Sequence, residues 1–184
     1  MVMTDEIHTI AVIGAGDEGR EIALSALLAG YRTILEDASE NRLERAAEWI
    51  ANRTNVGAEA RSRFVLASKI EEAVREADLI VEAVAEEMEM KIEMFTIFDK
   101  FAKPGALFAS SSPSLSIAEL AAVTFCPERC IGLRFVARAG KENALELVRT
   151  SKTSEETIAR CREVGRRMGK EVMVVAEREF TESR

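Results

Sequence analysis

Histidine is almost missing from this chain. Among 184 residues there is one, His8, and it precedes the first predicted strand. That leaves almost no room for imidazole acid–base chemistry. Cysteine is scarce too, with Cys126, Cys130 and Cys161 alone. The odd number, behind a polar, acidic N-terminus (MVMTDEIHT) without a signal-peptide profile, points to reduced thiols and a cytoplasmic location. Cys126 and Cys130 form a C-x-x-x-C pair with no second pair downstream. A zinc site therefore lacks soft ligands, no metal is expected, and buried thiols are the better reading. No apolar run approaches the ~20 residues of a membrane span, so no membrane is expected as a partner. The net charge of −7 argues against nucleic acid, and the basic run at 61–63 is too short to offset it. There is no internal repeat, no low-complexity segment and no linker long enough to divide residues 1–184.

What is present suits one globular domain. Hydrophobic residues make up 47% and charged residues 31%, enough for a core and against disorder. Apolar periodicity alternates between strand and helix. Strands are predicted at Ile7–Gly14, Arg32–Glu36, Phe64–Ala67, Leu79–Val84, Ala106–Ser110, Cys130–Val136, Ala144–Arg149 and Glu171–Val175. Helices are predicted at Glu18–Ala29, from a Ser39 cap to about Arg53, and at Ile70–Glu76, Glu87–Phe101, Ser114–Val123 and Ser154–Met168. Residues 54–62 read as a loop. This alternation implies an α/β fold, a doubly wound and mostly parallel sheet of the Rossmann type.

The first functional signal is Gly14-Ala15-Gly16-Asp17-Glu18-Gly19, a G-x-G-x-x-G that follows a strand and opens a helix. Gly14 permits the tight turn, Gly16 lets the backbone approach a pyrophosphate, and Gly19 allows close helix–strand packing. The helix N-terminus offers free N–H groups to phosphates. Asp37 ends the second strand 23 residues after Gly14. An acid there can accept from a ribose 2′-hydroxyl and repel a 2′-phosphate, so NAD is the expected cofactor. Strand alternation points the neighbouring Glu36 to the opposite face. Asp17 and Glu18 fall beside the expected pyrophosphate, where their charge opposes it and weakens binding, with Arg20 as a partial offset.

With that turn, the rest of the chain resembles the NAD-binding domain of the 3-hydroxyacyl-CoA dehydrogenase family. The resemblance covers nearly the whole chain. It is carried by IAVIGAGDEGREIA, DLIVEAVAEEMEMK at 78–91, KPGALFASSSPSLSIAEL at 103–120, PERCIGLRF at 127–135, ALELVRTSKTSEET at 144–157 and GKEVMVVAE at 169–177. It implies Glu86 and Lys91 near the nicotinamide ribose and the cofactor edge; an ordinary solvated helix start is the equal alternative. It also implies a catalytic dyad, a histidine in G-x-H-F oriented by a glutamate. Here the motif is Gly132-Leu133-Arg134-Phe135, with Arg134 at the histidine position and Glu146 at the glutamate position. Arginine stays protonated and cannot serve as the base. The family's Asn-Pro reads Ala137-Arg138. Its substrate-contacting serine falls on Pro113, which has no hydroxyl. Ser114 and Ser116 read as helix caps, Ser116 with Glu119 as a capping box.

Further parts of the family pattern are reduced. The helical hairpin after the second strand, which helps hold CoA, is abbreviated to roughly 39–62, and Phe180-Thr-Glu-Ser-Arg184 stands where the family continues into its helical domain. Three readings stay open: an NAD(H)-binding relative without the dehydrogenase activity, a 3-hydroxyacyl-CoA oxidoreductase completed by a partner chain, and a nucleotide-free interaction module. An acyl-CoA or other anionic ligand is the second small-molecule partner considered. An apolar surface near the C-terminal strands is expected to make the chain a homo-oligomer. The dyad positions are expected to bring Arg134 and Glu146 into a direct ion pair.

Overall fold

The computed structural model describes residues 6–53, 55–138 and 141–177, the side chains of 137, 138, 141 and 142 excepted. The end of the chain from Phe180 to Arg184 lies outside the described residues, and so do the side chains of Ala137 and Arg138. In chain order the elements are β1 (Thr9–Ile13), α1 (Asp17–Leu28), β2 (Arg32–Glu36), α2 (Glu40–Ala51), α3 (Ala58–Ser62), β3 (Phe64–Ala67), α4 (Ile70–Glu76), β4 (Leu79–Glu82), α5 (Met88–Phe101), β5 (Leu107–Ser110), α6 (Ile117–Ala122), β6 (Cys130–Arg138), β7 (Lys141–Arg149), α7 (Glu155–Arg167) and β8 (Glu171–Ala176). They form an eight-stranded sheet in the order β3-β2-β1-β4-β5-β6-β7-β8. All neighbours pair parallel except β6 and β7, which form an antiparallel hairpin. The fold is the Rossmann-type α/β domain that the alternation predicts.

Strand alternation builds two cores. Along β1, Ile10 and Val12 enter the layer shared with α1, where Ile22, Ala23, Ala26 and Leu27 are buried. Ala11 and Ile13 face the other layer, under α4, α5 and α6. That second layer centres on Phe95, Phe98 and Phe108, with ring centroids 5.5–6.4 Å apart, a spacing suited to tilted and edge-on aromatic packing.

Two local expectations change. The loop at 54–62 contains α3, because Gly57 starts a short run of good helix formers and Arg61 ties it to the Val56 and Ala51 carbonyls. The helix predicted from Ser114 starts at Ile117. Ser116 is its cap, accepting from the Glu119 N–H at 3.2 Å, and Glu177 accepts from the Ile117 and Ala118 N–H groups. Ser39 caps α2 as expected, by accepting from the Arg42 N–H. All three cysteines are buried free thiols. Among the described residues, the exposed large apolar side chains are Leu28, Leu66, Met90, Val123 and a fully exposed Phe125, none of them on β7 or β8.

The strand order reverses at β1. The chain winds from β1 through β2 to β3 on one side, then returns to place β4 on the other. A doubly wound sheet opens a crevice at the carboxyl ends of the strands at such a switch point, and the glycine turn lies there.

Candidate cofactor crevice

The turn between β1 and α1 is fixed by backbone contacts. Gly14 has φ +107° and donates its N–H to the Glu36 carbonyl at 2.8 Å. A Cβ on Gly14 would lie 2.5 Å from the Ala83 carbonyl oxygen, and one on Gly19 would lie 1.8 Å from the Gly14 oxygen. Both positions exclude a side chain. Gly16 differs: nothing lies within 4 Å of its would-be Cβ. Gly16 is the N-cap of α1, so no side chain of its own competes for the first-turn N–H groups. The arrangement leaves an open approach to a helix N-terminus, the feature that a pyrophosphate needs. Asp17 points outward, 92% exposed, and pairs with Arg20 at 3.0 Å. Glu18 turns inward and accepts from the Ser111 hydroxyl at 2.9 Å. Burial raises its pKa, against the lowering effect of that bond and of Lys91. The two acids expected to sit together beside the pyrophosphate therefore face different ways.

Next to the turn, a cavity of about 540 Å3 runs along the carboxyl ends of β1, β2 and β4. Ile70, Met90, Met94 and Ile97 supply apolar walls, while Glu36, Asp37 and Arg42 supply charge. Asp37 is buried, and its oxygens accept from the Ala15 N–H at 2.9 Å, the Ser39 N–H at 2.7 Å and the Arg42 guanidinium at 2.9–3.0 Å. Burial pushes the Asp37 pKa up, but Arg42 and the two backbone donors outweigh it and hold the carboxyl below its usual value. Arg42 was missed in the sequence. The signal was there: with Ser39 as cap, residue 42 is the third of the helix and faces back toward Asp37.

Glu36 requires a correction. It does not point away from this site but lines the same cavity. Alternation does send it to the face opposite Leu35. Asp37, however, lies beyond the last β2 pair, where the chain turns toward Ser39, so both acids border one space. Burial, then the charges of Asp37 and Glu71, push the Glu36 carboxyl up to about 7.

Glu86 and Lys91 are brought together, in a network rather than at a solvated helix start. Lys91, 1% exposed, donates to Glu82 at 2.7 Å and to the Val84 carbonyl at 3.2 Å, and lies 3.4 Å from Glu86. Glu82, fully buried, also accepts from the Val84 N–H and the Ser110 hydroxyl, both at 2.7 Å. Glu86 accepts from Ser112 and Ser114 at 2.5 and 2.9 Å. Burial raises its pKa, and the two hydroxyls with Lys91 more than reverse this, holding it low. Ser114 therefore bonds Glu86 instead of capping α6. Every charge in the network has a partner, the condition under which buried ions are tolerated.

The other end of the crevice is made by the β5–α6 loop and the β6–β7 hairpin. Arg134 on β6 stands directly opposite Glu146 on β7, so both side chains leave the same face of the sheet. The Arg134 Nε donates to the Ser112 carbonyl. Pro113 follows, exposed on the loop. Arg134 thus reaches the Ser111–Ser114 segment from β6, with the Glu146 carboxylate facing it across the hairpin on β7.

Comparison with known proteins identifies the family of this domain. Residues 9–178 match the family model described as 3-hydroxyacyl-CoA dehydrogenase, NAD binding domain. A probable 3-hydroxybutyryl-CoA dehydrogenase of Bacillus subtilis is 36% identical over 181 residues, and a 3-hydroxybutyryl-CoA dehydrogenase of Bradyrhizobium diazoefficiens 34% over 183. The alignments take in 92% and 94% of this chain but 63% and 62% of those proteins. The chain therefore spans under two thirds of the relatives it matches. Among solved structures, a 3-hydroxybutyryl-CoA dehydrogenase of Escherichia coli K12 superposes with a TM-score of 0.85 at 29% identity, over 93% of this chain and 38% of that one. The (S)-3-hydroxybutyryl-CoA dehydrogenase of Ralstonia eutropha gives 0.87 at 24% identity, over 94% and 65%, which is likeness of fold.

Proposed function

This chain belongs to the 3-hydroxyacyl-CoA dehydrogenase family through its NAD-binding domain, and from that premise we propose that it binds NAD(H) without performing the family's dehydrogenation by itself. The residues fit the cofactor. Gly16 leaves the phosphate approach open, α1 presents its N-terminus, and the adenosine end has a cavity of about 540 Å3. When bound, the dinucleotide supplies a nicotinamide carbon that gives or takes hydride. The chain's own residues would hold its ends: the α1 N–H groups would meet the phosphates and Asp37 the ribose, while the Glu82–Lys91–Glu86 network fixes the loop after β4.

One observation carries the loss of activity: a guanidinium, Arg134, stands opposite Glu146 where the family resemblance calls for a base. Dehydrogenation needs a group to take the hydroxyl proton, and arginine remains charged at any working pH. His8 is on the chain entering β1, at the other end of the strands. Pro113 offers no hydroxyl to a substrate. A fixed cation at this end suits an anion, so an acyl-CoA or another anionic ligand is the second partner proposed. The intact Glu82–Lys91–Glu86–Ser112 network favours a second reading, an oxidoreductase whose base comes from a partner chain of different sequence. Calorimetric titration with NADH tests the binding. A saturable heat is expected. A folded protein that gives none would favour the nucleotide-free reading instead.

A further inference from the structure

One carboxylate in the cavity is unexplained by the fold. Glu36 is 6% exposed, yet no hydrogen bond or ion pair reaches its side chain among the described residues. A buried carboxylate that no protein donor reaches is costly, even with its oxygens open to the cavity. Asp37 beside it and Glu71 on α4 raise the cost further. Such a group is tolerated where a ligand brings a donor.

The dinucleotide carries two kinds of donor at its adenosine end, the ribose hydroxyls and the exocyclic amine of adenine. Asp37 stands at the ribose position by the spacing of the motif, and four donors from Ala15, Ser39 and Arg42 already hold it there. Glu36 has the other orientation. It shares a sheet face with Ile34, whose cluster packs under α4 and α5. It therefore looks into the part of the cavity walled by Ile70, Met90, Met94 and Ile97, with Glu93 of α5 at its border, where a flat base finds apolar surfaces and Glu36 as the buried polar group. Resting on the NAD-binding reading above, we infer that Glu36 accepts a hydrogen bond from the exocyclic amine of adenine and is the residue by which this site reads the base. Asp37 and Arg42 form the brace that joins the glycine turn to α2, and Glu36 supplies selectivity.

The test compares two ligands on the full chain by equilibrium titration at about pH 8.5, above the value of about 7 to which burial raises Glu36, so that the carboxylate is ionised: NADH and its hypoxanthine analogue, in which a carbonyl oxygen replaces the amine. The wild type should prefer NADH by roughly tenfold or more, because the analogue sets an acceptor against a carboxylate. Glu36→Gln can donate to that oxygen, and the preference should shrink to within about threefold or reverse. Glu36→Leu should also lose the preference, through weaker NADH binding. Equal affinity of the wild type for the two dinucleotides would overturn the inference, and this needs no variant. So would a Glu36→Gln that keeps the wild-type preference, since the discrimination would then lie elsewhere. A wild type that binds neither ligand would overturn the NAD-binding reading itself, and the base-reading role with it.

Discussion

The two ends of the crevice are built from one sheet but by different means. The adenosine end is made largely of backbone. Gly14 and Gly19 exclude any side chain, Gly16 leaves open space, and Asp37 is braced by the Ala15 and Ser39 N–H groups. The reaction end is made of side-chain identities on a conventional hairpin. Arg134 opposite Glu146 is as good a cross-strand pair for the fold as a histidine would be. Backbone geometry resists change because any substitution at Gly19 collides with the turn. Side-chain chemistry at 113 and 134 can be replaced without moving a strand. Similarity over the whole chain therefore reports the form and the cofactor end of a dehydrogenase, and the proton chemistry has to be tested on its own.

Substitutions can sharpen or break this contrast. The largest effect is expected at Lys91, which lies between the two ends and ties both. Lys91→Met would leave the fully buried Glu82 without its cation, at a cost of about 3–5 kcal/mol in denaturant unfolding. A loss under about 0.5 kcal/mol would mean that the network holds neither end. The glycines come next. Gly19→Ala should cost about 2–3 kcal/mol, because a Cβ there meets backbone rather than a movable side chain. Gly16→Ala should unfold like the wild type, since its Cβ meets nothing, yet bind NADH at least roughly tenfold more weakly, since the added methyl occupies the phosphate approach. Equal effects of both substitutions on stability would erase the distinction between a packing glycine and a binding glycine.

Glu36 gives a smaller effect with a definite sign. Its carboxyl is raised from 4.5 to about 7 by burial, Asp37 and Glu71. Glu93 and Arg42 border the same cavity. The native state therefore holds this proton more tightly than the unfolded chain does. The associated stability is complete below about pH 4.5 and lost as pH rises through about 7. Glu36→Gln should leave stability unchanged at pH 4 and raise it by about 2 kcal/mol at pH 8, allowing for screening by water in the open cavity. Thermal melts at the two pH values check this, and a gain that did not grow with pH would contradict it. The smallest effect is expected at the reaction end: Arg134→His should cost about 0.5–1.5 kcal/mol, the worth of the bond to the Ser112 carbonyl, and leave NADH affinity unchanged, because the position does not serve the cofactor's adenosine half.

Much of this was legible in the sequence where the signal is local. The glycine turn, the β-branched strands and the amphipathic helices follow from spacing, and Ser39 and Ser116 cap helices as their positions suggest. The misreadings are non-local. Lys91 reads equally as a cofactor-edge residue and as a solvated helix start, and neither reading foresees the buried Glu82 that β4 brings against it. Glu36 looks turned away from Asp37 until the chain leaves the β2 register one residue later. Ser114 looks like a cap until the β4–α5 loop presents Glu86. Charge alone says nothing about whether a buried partner awaits it, and each of these partners comes from a separate element.

The most direct test mixes a preformed complex of the protein with NADH and a short 3-ketoacyl-CoA such as acetoacetyl-CoA, and follows nicotinamide absorbance at 340 nm. The present account predicts saturable NADH binding with no decrease in absorbance on the scale of an enzymatic turnover. Oxidation of the bound NADH at an ordinary enzymatic rate, about 1–1000 per second, would contradict it, because a site with Arg134 as its central charge would then have a working proton donor.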